Sequence, residues 1–450
     1  MLPSPTRSGR PPLLPILISL PLIAIGQAAW ADEALSPADY QDEARLAQLI
    51  WDRAPEVLEA RQQSQVAASE VTRAHLYPNP QLDLGWGTIP VGRTNPANLS
   101  DPVGNIPNYS VGLSELFELA KRGPRQNAAA AEREAASAQA RAIFADKFFD
   151  LLTTIGHIAM NEERAAMLDH EVGEGDRLLN LDRARADKGE IARMSVDRSE
   201  AEQLRLIAER DEARTELESA RADCATVLAA TCPAFGSEEA ARAYLDRGGN
   251  TSLPAEWSTD IAARRPDLAA LDAALQAADE RVTLAKRQAI PDLTVRFGYT
   301  YDTFVASGAQ RQSLGLGVQM PLPIADHGQA DLEAASAALT RARRARDALT
   351  NSGRLTLEAS SRRRALVRDR LTQLQTAGEK ADVMRSNTEG AAREGGASQV
   401  DVLLARRRYQ EVLLQRTQLD FDLYDAALDA RRAAALFPTP ADFPQEASVP

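Results

Sequence analysis

PDLTVRFGYTYDTFVASGAQRQSLGLGVQMPLPI, residues 291–324, decides the fold. Leu293, Val295, Phe297, Tyr299 and Tyr301 alternate with Thr294, Arg296, Gly298, Thr300 and Asp302. After a short polar loop, Thr303 to Gln310, alternation resumes, with Leu314, Leu316, Val318 and Met320 set against Ser313, Gly315, Gly317 and Gln319. Period-two alternation on both sides of a glycine-containing loop predicts a β-hairpin. One of its faces is apolar and aromatic, the other small and polar. That pattern suits a membrane barrel, apolar outward to lipid and polar inward to water. Two strands cannot close a barrel, so the rest of the chain must supply more.

A second hairpin lies upstream. Leu82, Leu84 and Trp86 alternate with Asp83, Gly85 and Gly87. After a loop rich in Pro, Asn and Gly, Tyr109, Val111 and Leu113 alternate with Ser110, Gly112 and Ser114. The two hairpins belong to an internal repeat. Arg265-Pro266-Asp267-Leu268 stands 211 residues after Ala54-Pro55-Glu56-Val57, and Pro291, Leu293, Val295 and Phe297 follow Pro80, Leu82, Leu84 and Trp86 at the same interval. Ser313 to Leu316 matches Ser110 to Leu113 at 203 residues, and Gly395 matches Gly189 at 206. Each half reads helix, strand, loop, strand, long helix, turn, helix. The expected divisions are a first repeat over 32–230, an irregular connector over 231–254, a second repeat over 255–437 and a tail over 438–450. Strands are expected at about 82–89, 108–116, 292–301 and 313–320, and long helices at about 124–187 and 329–393. Ser36-Pro37 reads as the start of the first helix.

The compartment is read from the beginning of the sequence. Arg7 and Arg10 precede an apolar run, Leu13 to Ile25, and Ala29-Trp30-Ala31 forms a small-x-small cleavage site. These are the parts of a secretory signal peptide over 1–31. Its removal takes the net charge from −12 to −14, which argues against a nucleic-acid partner. No cysteine lies near the cleavage site, so lipidation of a new N-terminus is not expected. Cys224 and Cys232 are the two cysteines of the chain, and in an oxidising compartment they pair or stand as two small free residues.

Physics then requires assembly. Four strands per chain cannot close a barrel, because the smallest membrane barrels need about eight, and open edges in lipid are forbidden. Each copy must therefore give four strands to a shared barrel. The long helices, on the order of 100 Å at about 1.5 Å per residue, must bundle to be stable. They join the strands without linkers and so continue the barrel as a tube.

Enzyme chemistry finds no footing in the sequence. His75, His157, His170 and His327 are isolated, and Gly315-Leu316-Gly317 lies inside a strand rather than in a phosphate loop. No metal site and no cofactor are expected. The arginine-rich stretch Arg341 to Arg346 reads as a solvated coiled-coil face. A soluble periplasmic coiled-coil adaptor is the competing class, but adaptors also carry Gly- and Val-rich β domains that this chain lacks.

In its signal peptide, duplicated plan and four strands, the chain resembles the TolC family of outer-membrane efflux proteins. The local marks are Tyr77-Pro78-Asn79-Pro80, Pro321-Leu322-Pro323-Ile324 before Asp326-His327-Gly328, and Gly395 through Val400-Asp401-Val402-Leu403 to Ala405. Pro321 to Ile324 is most similar to the heavy-metal (cation) efflux branch. The resemblance implies a mainly α-helical homotrimer with a twelve-stranded outer-membrane β-barrel and a long periplasmic helical tunnel. It implies a passive exit duct with no catalytic activity, working with a periplasmic adaptor and an inner-membrane transporter. Leu84, Trp86, Phe297 and Leu316 are then expected to face outer-membrane lipid, and Asp83, Thr294 and Arg296 the lumen. The turns holding Gly189, Glu190 and Arg193, and Gly395, Gly396 and Ala397, are the expected periplasmic tips that meet the adaptor. Asp401 lies just beyond the second tip and matches an aperture aspartate of the family. Leu404 replaces the family's second acidic residue, and Ser195 stands where an acidic gating partner is expected.

Overall fold

The computed structural model describes residues 35–88, 91, 93, 101–254, 256–303 and 310–439. The signal-peptide reading lies outside these residues. A 3-10 turn, Asp39–Gln41, leads into α1 (Glu43–Arg53), α2 (Pro55–His75), β1 (Gln81–Gly87), α3 (Pro102–Asn105), β2 (Asn108–Phe117), α4 (Arg122–Asp187) and α5 (Arg193–Leu228). After α6 (Glu238–Gly249) the order returns as α7 (Thr259–Arg264), α8 (Pro266–Gln288), β3 (Leu293–Asp302), β4 (Gln312–Gln319), α9 (Gln329–Arg393) and α10 (Gln399–Ala433).

Matching chemistry starts α2 and α8. Ala54 and Arg265 are extended, and each is followed by a proline in the first helical turn. Proline forces its predecessor out of the helical region and is itself preset for the first turn. The long helix α4 packs on α2 and α8 along its first part and on α5 along its second, while α9 packs on α8 and then on α10. The helices thus form a layer in the order α2, α4, α8, α9. The strands form one antiparallel sheet in the matching order β1-β2-β3-β4.

Several boundaries differ from expectation. Ser36 donates to Asp39 rather than capping a helix, and Asp42 caps α1 by accepting from the Arg45 amide. Strand β1 ends at Gly87, and Ile89 lies outside the described residues. The segment 231–254 is not irregular: Ser237 caps the twelve-residue α6, whose side chains Ala241, Tyr244 and Leu245 are buried. Beside it, Cys224 at the end of α5 is disulfide-bonded to Cys232.

This middle region holds the main core. Aromatic residues are scarce in the chain, yet Tyr40, Trp51, Phe144, Phe148, Phe149, Phe235, Tyr244, Phe421 and Tyr424 are buried together here. Tyr424 joins the halves. Its ring lies between Gly156 of α4 and Gly248 of α6, where an added Cβ would come within 2.5 Å of it on either side. Its hydroxyl donates to the Leu152 carbonyl (2.8 Å) and meets the Tyr244 hydroxyl (3.0 Å). Nearby, Arg431 of α10 donates twice to Glu43 of α1 (2.8 and 2.5 Å).

Asp420, also on α10, is buried with one oxygen lacking a hydrogen-bond partner. Burial pushes its carboxyl up to about 6; Asp246 and Glu163 push the same way, while Arg416 and Arg242 oppose. A carboxyl raised on folding stabilises the fold below its unfolded value, and that contribution is lost as pH rises through the folded one. Asp420 therefore lowers stability as pH climbs from its ordinary 3.8 to about 6. Asp420→Asn is expected to remove this share of the pH dependence and to raise Tm at pH 7; thermal melts across that range check it.

Candidate functional site

The sheet is sorted into two faces by its register. Across one face run Trp86, Tyr109 and Tyr301, then Leu84, Val111, Tyr299 and Leu314, then Leu82, Leu113, Phe297 and Leu316. These rows are continuous because each residue pairs directly with the next, and their side chains stand largely exposed on the single chain. Leu84, Trp86, Phe297 and Leu316 thus share one face. Polar side chains enter it at Gln312, which ends the row of Tyr301, and at Glu115, in the row of Val295 and Val318 toward the helical end. The opposite face is built from Gly85, Ser110, Gly112, Ser114, Gly298, Thr300, Ser313, Gly315 and Gly317, with Asp83, Thr294 and Arg296 among them. Strands β1 and β4 are the edges of the sheet, each paired on one side alone.

Basic side chains fix where strands meet helices. Lys121 pairs with Asp292 (2.9 Å), tying the exit of β2 to the entry of β3. Arg125 donates to the carbonyls of Ala74 and Leu76, and Arg122 to that of His75, so both cap the C-terminal end of α2. Cations belong there, since the last helical carbonyls are unpaired and carry the negative end of the helix dipole. Arg125 also pairs with Glu118, and the Arg122 guanidinium lies 3.6 Å from the centre of the Tyr77 ring.

At the far end, the two tips have the same backbone. Gly189 and Gly395 adopt φ of 78° and 82°, the left-handed region that glycine enters without strain. The Gly189 and Glu190 amides donate to Ala186 and Arg185, and those of Gly395 and Gly396 to Ala392 and Ala391. Both are Schellman endings, which satisfy the last carbonyls of α4 and α9. Gly189, Glu190, Arg193, Gly395 and Gly396 are exposed, and Ala397 is half-buried.

Asp401 has a local role that the sequence reading passed over. Ser398 and Asp401 form a reciprocal capping box: the Asp401 amide donates to Ser398 Oγ (3.2 Å) and the Ser398 amide to Asp401 Oδ2 (3.0 Å). The Ser398 hydroxyl, which donates to Oδ2 (2.6 Å), and then the Ser398 amide hold the exposed Asp401 carboxyl below the usual range. The signal was readable, since Ser followed three residues later by an acid marks a helix start. Leu404, one turn on, is 59% exposed. Ser195 occupies the matching place in α5, three residues after the uncapped Ala192. The structure places all three near the tips, Ser195 on α5 and the other two on α10.

Two buried polar rungs behind the tips also escaped sequence reading, because their partners are far apart in the chain. Gln399 donates to Asp182 (2.5 Å), which also accepts from Ser199 (2.6 Å). Gln410 donates to Glu171 (2.6 Å). They tie α10 to α4. Among the described residues no cluster of His, Cys, Asp and Glu could hold a metal ion, and no helix is long and apolar enough to cross a membrane.

A four-stranded sheet with an exposed apolar face and two open edges, continued by a layer of very long helices, is the fold of several solved outer-membrane channels. The structure superposes on CusC with a TM-score of 0.70 at 15% identity, covering 87% of this chain and 92% of that one. It also superposes on the CmeC outer membrane channel of Campylobacter jejuni (TM-score 0.72, 14% identity, 93% and 92% covered). The open state of the Neisseria gonorrhoeae MtrE outer membrane channel gives 0.68 at 16% identity, with 87% and 88% covered. In sequence, the cobalt-zinc-cadmium resistance protein CzcC of Cupriavidus metallidurans is 26% identical over 271 residues, 59% of this chain. The match spans 59% of that relative's own length. No protein-family model matches the chain.

Proposed function

We propose that this chain is the outer-membrane channel of a tripartite efflux system. Three copies complete a twelve-stranded barrel, and their helices form a periplasmic tunnel. The observation that carries this reading is the sheet: a face that is apolar along its middle rows, beside two unpaired edges, can be satisfied in lipid only by closure with further copies. The helical layer supports it, since its terminal members α2 and α9 leave Val66, Leu355 and Leu366 exposed. Efflux, rather than another transport task, is supported by the likeness to CzcC, and divalent metal cations are the cargo that its name suggests. An inner-membrane transporter supplies the energy and a periplasmic adaptor bridges the two. Recovery in the outer membrane as a heat-modifiable trimer tests the reading; a monomer wholly in the soluble periplasm would sink it.

The tips meet the adaptor. Glu190→Cys and Ala397→Cys are expected to crosslink to it, whereas crosslinking confined to cysteines near the strands would reverse the polarity assigned here.

Asp401 contributes an acidic ring at the tunnel entrance, where three copies converge and attract cations. Asp401→Ala is expected to lower cation selectivity, and block by divalent cations from the periplasmic side, in planar-bilayer recordings. It also removes the return half of the capping box, while Ser398 still caps the helix. Ser398→Ala weakens the same cap yet keeps the carboxylate, so its selectivity should stay at the parent value. Equal selectivity and block in Asp401→Ala and the parent remove Asp401 from the entrance.

A further inference from the structure

The polar face of the sheet is almost bare. Its positions hold glycine, serine and threonine, with Gln81, Asn108, Leu116 and Gln319 toward the strand ends. Among the described residues it carries three charged side chains, Asp83, Arg296 and Asp302, and Asp302 sits at the loop end of β3. Asp83 and Arg296 are on strands that do not touch. Strand β2 lies between them, and neighbouring strands are about 4.8 Å apart. The Arg296 guanidinium nevertheless comes within 3.7 Å of Asp83 Oδ2. It does so by lying back over β2, where the directly paired residues are Ser114 and Gly112.

That path is built for it. Ser114, the residue directly paired with Arg296, is 5% exposed although it belongs to an open sheet face. Its hydroxyl donates to the same Asp83 oxygen (3.2 Å). Gly112 has no side chain to lift the carboxylate away: a Cβ there would lie 3.5 Å from Asp83 Cβ and 3.8 Å from Oδ2. Both charged groups remain about half exposed. An ion pair in that setting contributes at most about 1 kcal/mol, so stability gives little reason for placing two charges on a wall that is otherwise uncharged between the strand ends.

We infer that Asp83 and Arg296 set the charge selectivity of the barrel lumen, with Asp83 holding the arginine flat against the wall. The inference rests on the reading above, in which the polar face lines the pore. In the trimer the pair recurs three times at one level. While paired, each copy is neutral and low, leaving the bore open. Without Asp83 the guanidinium swings inward as an unopposed cation, and without Arg296 three carboxylates remain. The solutes sorted here are small ions and charged cargo, read by sign.

Purified protein in planar lipid bilayers under a KCl gradient tests this, with Asp401 native throughout. Asp83→Asn is expected to shift the K⁺/Cl⁻ permeability ratio toward anions about threefold or more, the effect of about one kT of local potential. Arg296→Gln should shift it as far toward cations. Arg296→Lys, which keeps the charge, should stay near the parent. A channel-forming parent whose ratio is unchanged by Asp83→Asn and Arg296→Gln overturns the inference and leaves the channel reading intact. A parent that forms no channel overturns both. Should Arg296→Gln not assemble, Asp83→Asn alone decides, because it removes charge without removing bulk.

Discussion

Leu316→Arg stops the chain from assembling in the outer membrane. Leu316 is 76% exposed on the isolated chain and sits beside Phe297 in a fully apolar row of the sheet. An arginine on the lipid face of a barrel costs about 2–4 kcal/mol near the bilayer midplane, and the proposed trimer bears that cost three times. The expected phenotype is export without heat-modifiable trimers, read by fractionation and gel mobility. Ser313→Arg is the control. Ser313 is three residues away on the same strand but on the opposite face, paired with Thr300, and an added charge there meets water. Loss of assembly in both variants would mean damage to the strand in general, and normal assembly of Leu316→Arg would mean that the face is turned the wrong way. The native Glu115 does not contradict the argument, since it lies toward the helical margin of the face, where the cost of charge falls off with depth.

Tyr424→Ala destabilises the helical body by about 3–5 kcal/mol, the range for deleting a large buried aromatic. Tyr424 is 2% exposed, and its hydroxyl satisfies the Leu152 carbonyl and the Tyr244 hydroxyl. The cavity cannot easily collapse, because α4 and α6 are themselves held apart by the surrounding aromatic cluster. Denaturant melts of detergent-solubilised protein measure the loss. Tyr424→Phe keeps the ring and should cost about 1 kcal/mol for the hydrogen bonds. A Tyr424→Ala loss no larger than that of Tyr424→Phe would show that the ring does not join the halves.

What could be read in the sequence was local and periodic. Alternation at Leu293 to Tyr301 and Leu314 to Met320 located β3 and β4 within a residue or two, and Gly189 and Gly395 located both tips. Repetition of Ala54-Pro55 as Arg265-Pro266 marks the internal repeat, and both prolines open helices because proline acts on its immediate neighbours. The reading failed where a residue serves a distant partner. Gly248 and Gly249 read as helix breakers in sequence, yet both lie in α6, and Gly248 is the gap into which Tyr424 fits from 176 residues away. Pairing of β2 with β3 joins strands separated by the whole of α4 to α8, and no periodicity encodes that. The same holds for Gln399 with Asp182, and for Arg296 with Asp83 across an intervening strand. Spacing alone left the cysteines undecided, since eight residues suit a bonded pair and two free thiols equally.

The two unpaired edges bear on inheritance as well as on shape. Helices built around the aromatic core complete their contacts within one chain, whereas β1 and β4 are each paired on one side alone. In the proposed trimer, a cell making equal amounts of native copies and copies with sound helices but a spoiled edge would draw all three from the native pool in about one eighth of its assemblies. An allele of that kind should therefore be dominant, and more harmful than deletion of one gene copy. Substitutions in the helical core that prevent folding should instead be recessive, because an unfolded chain never enters the assembly.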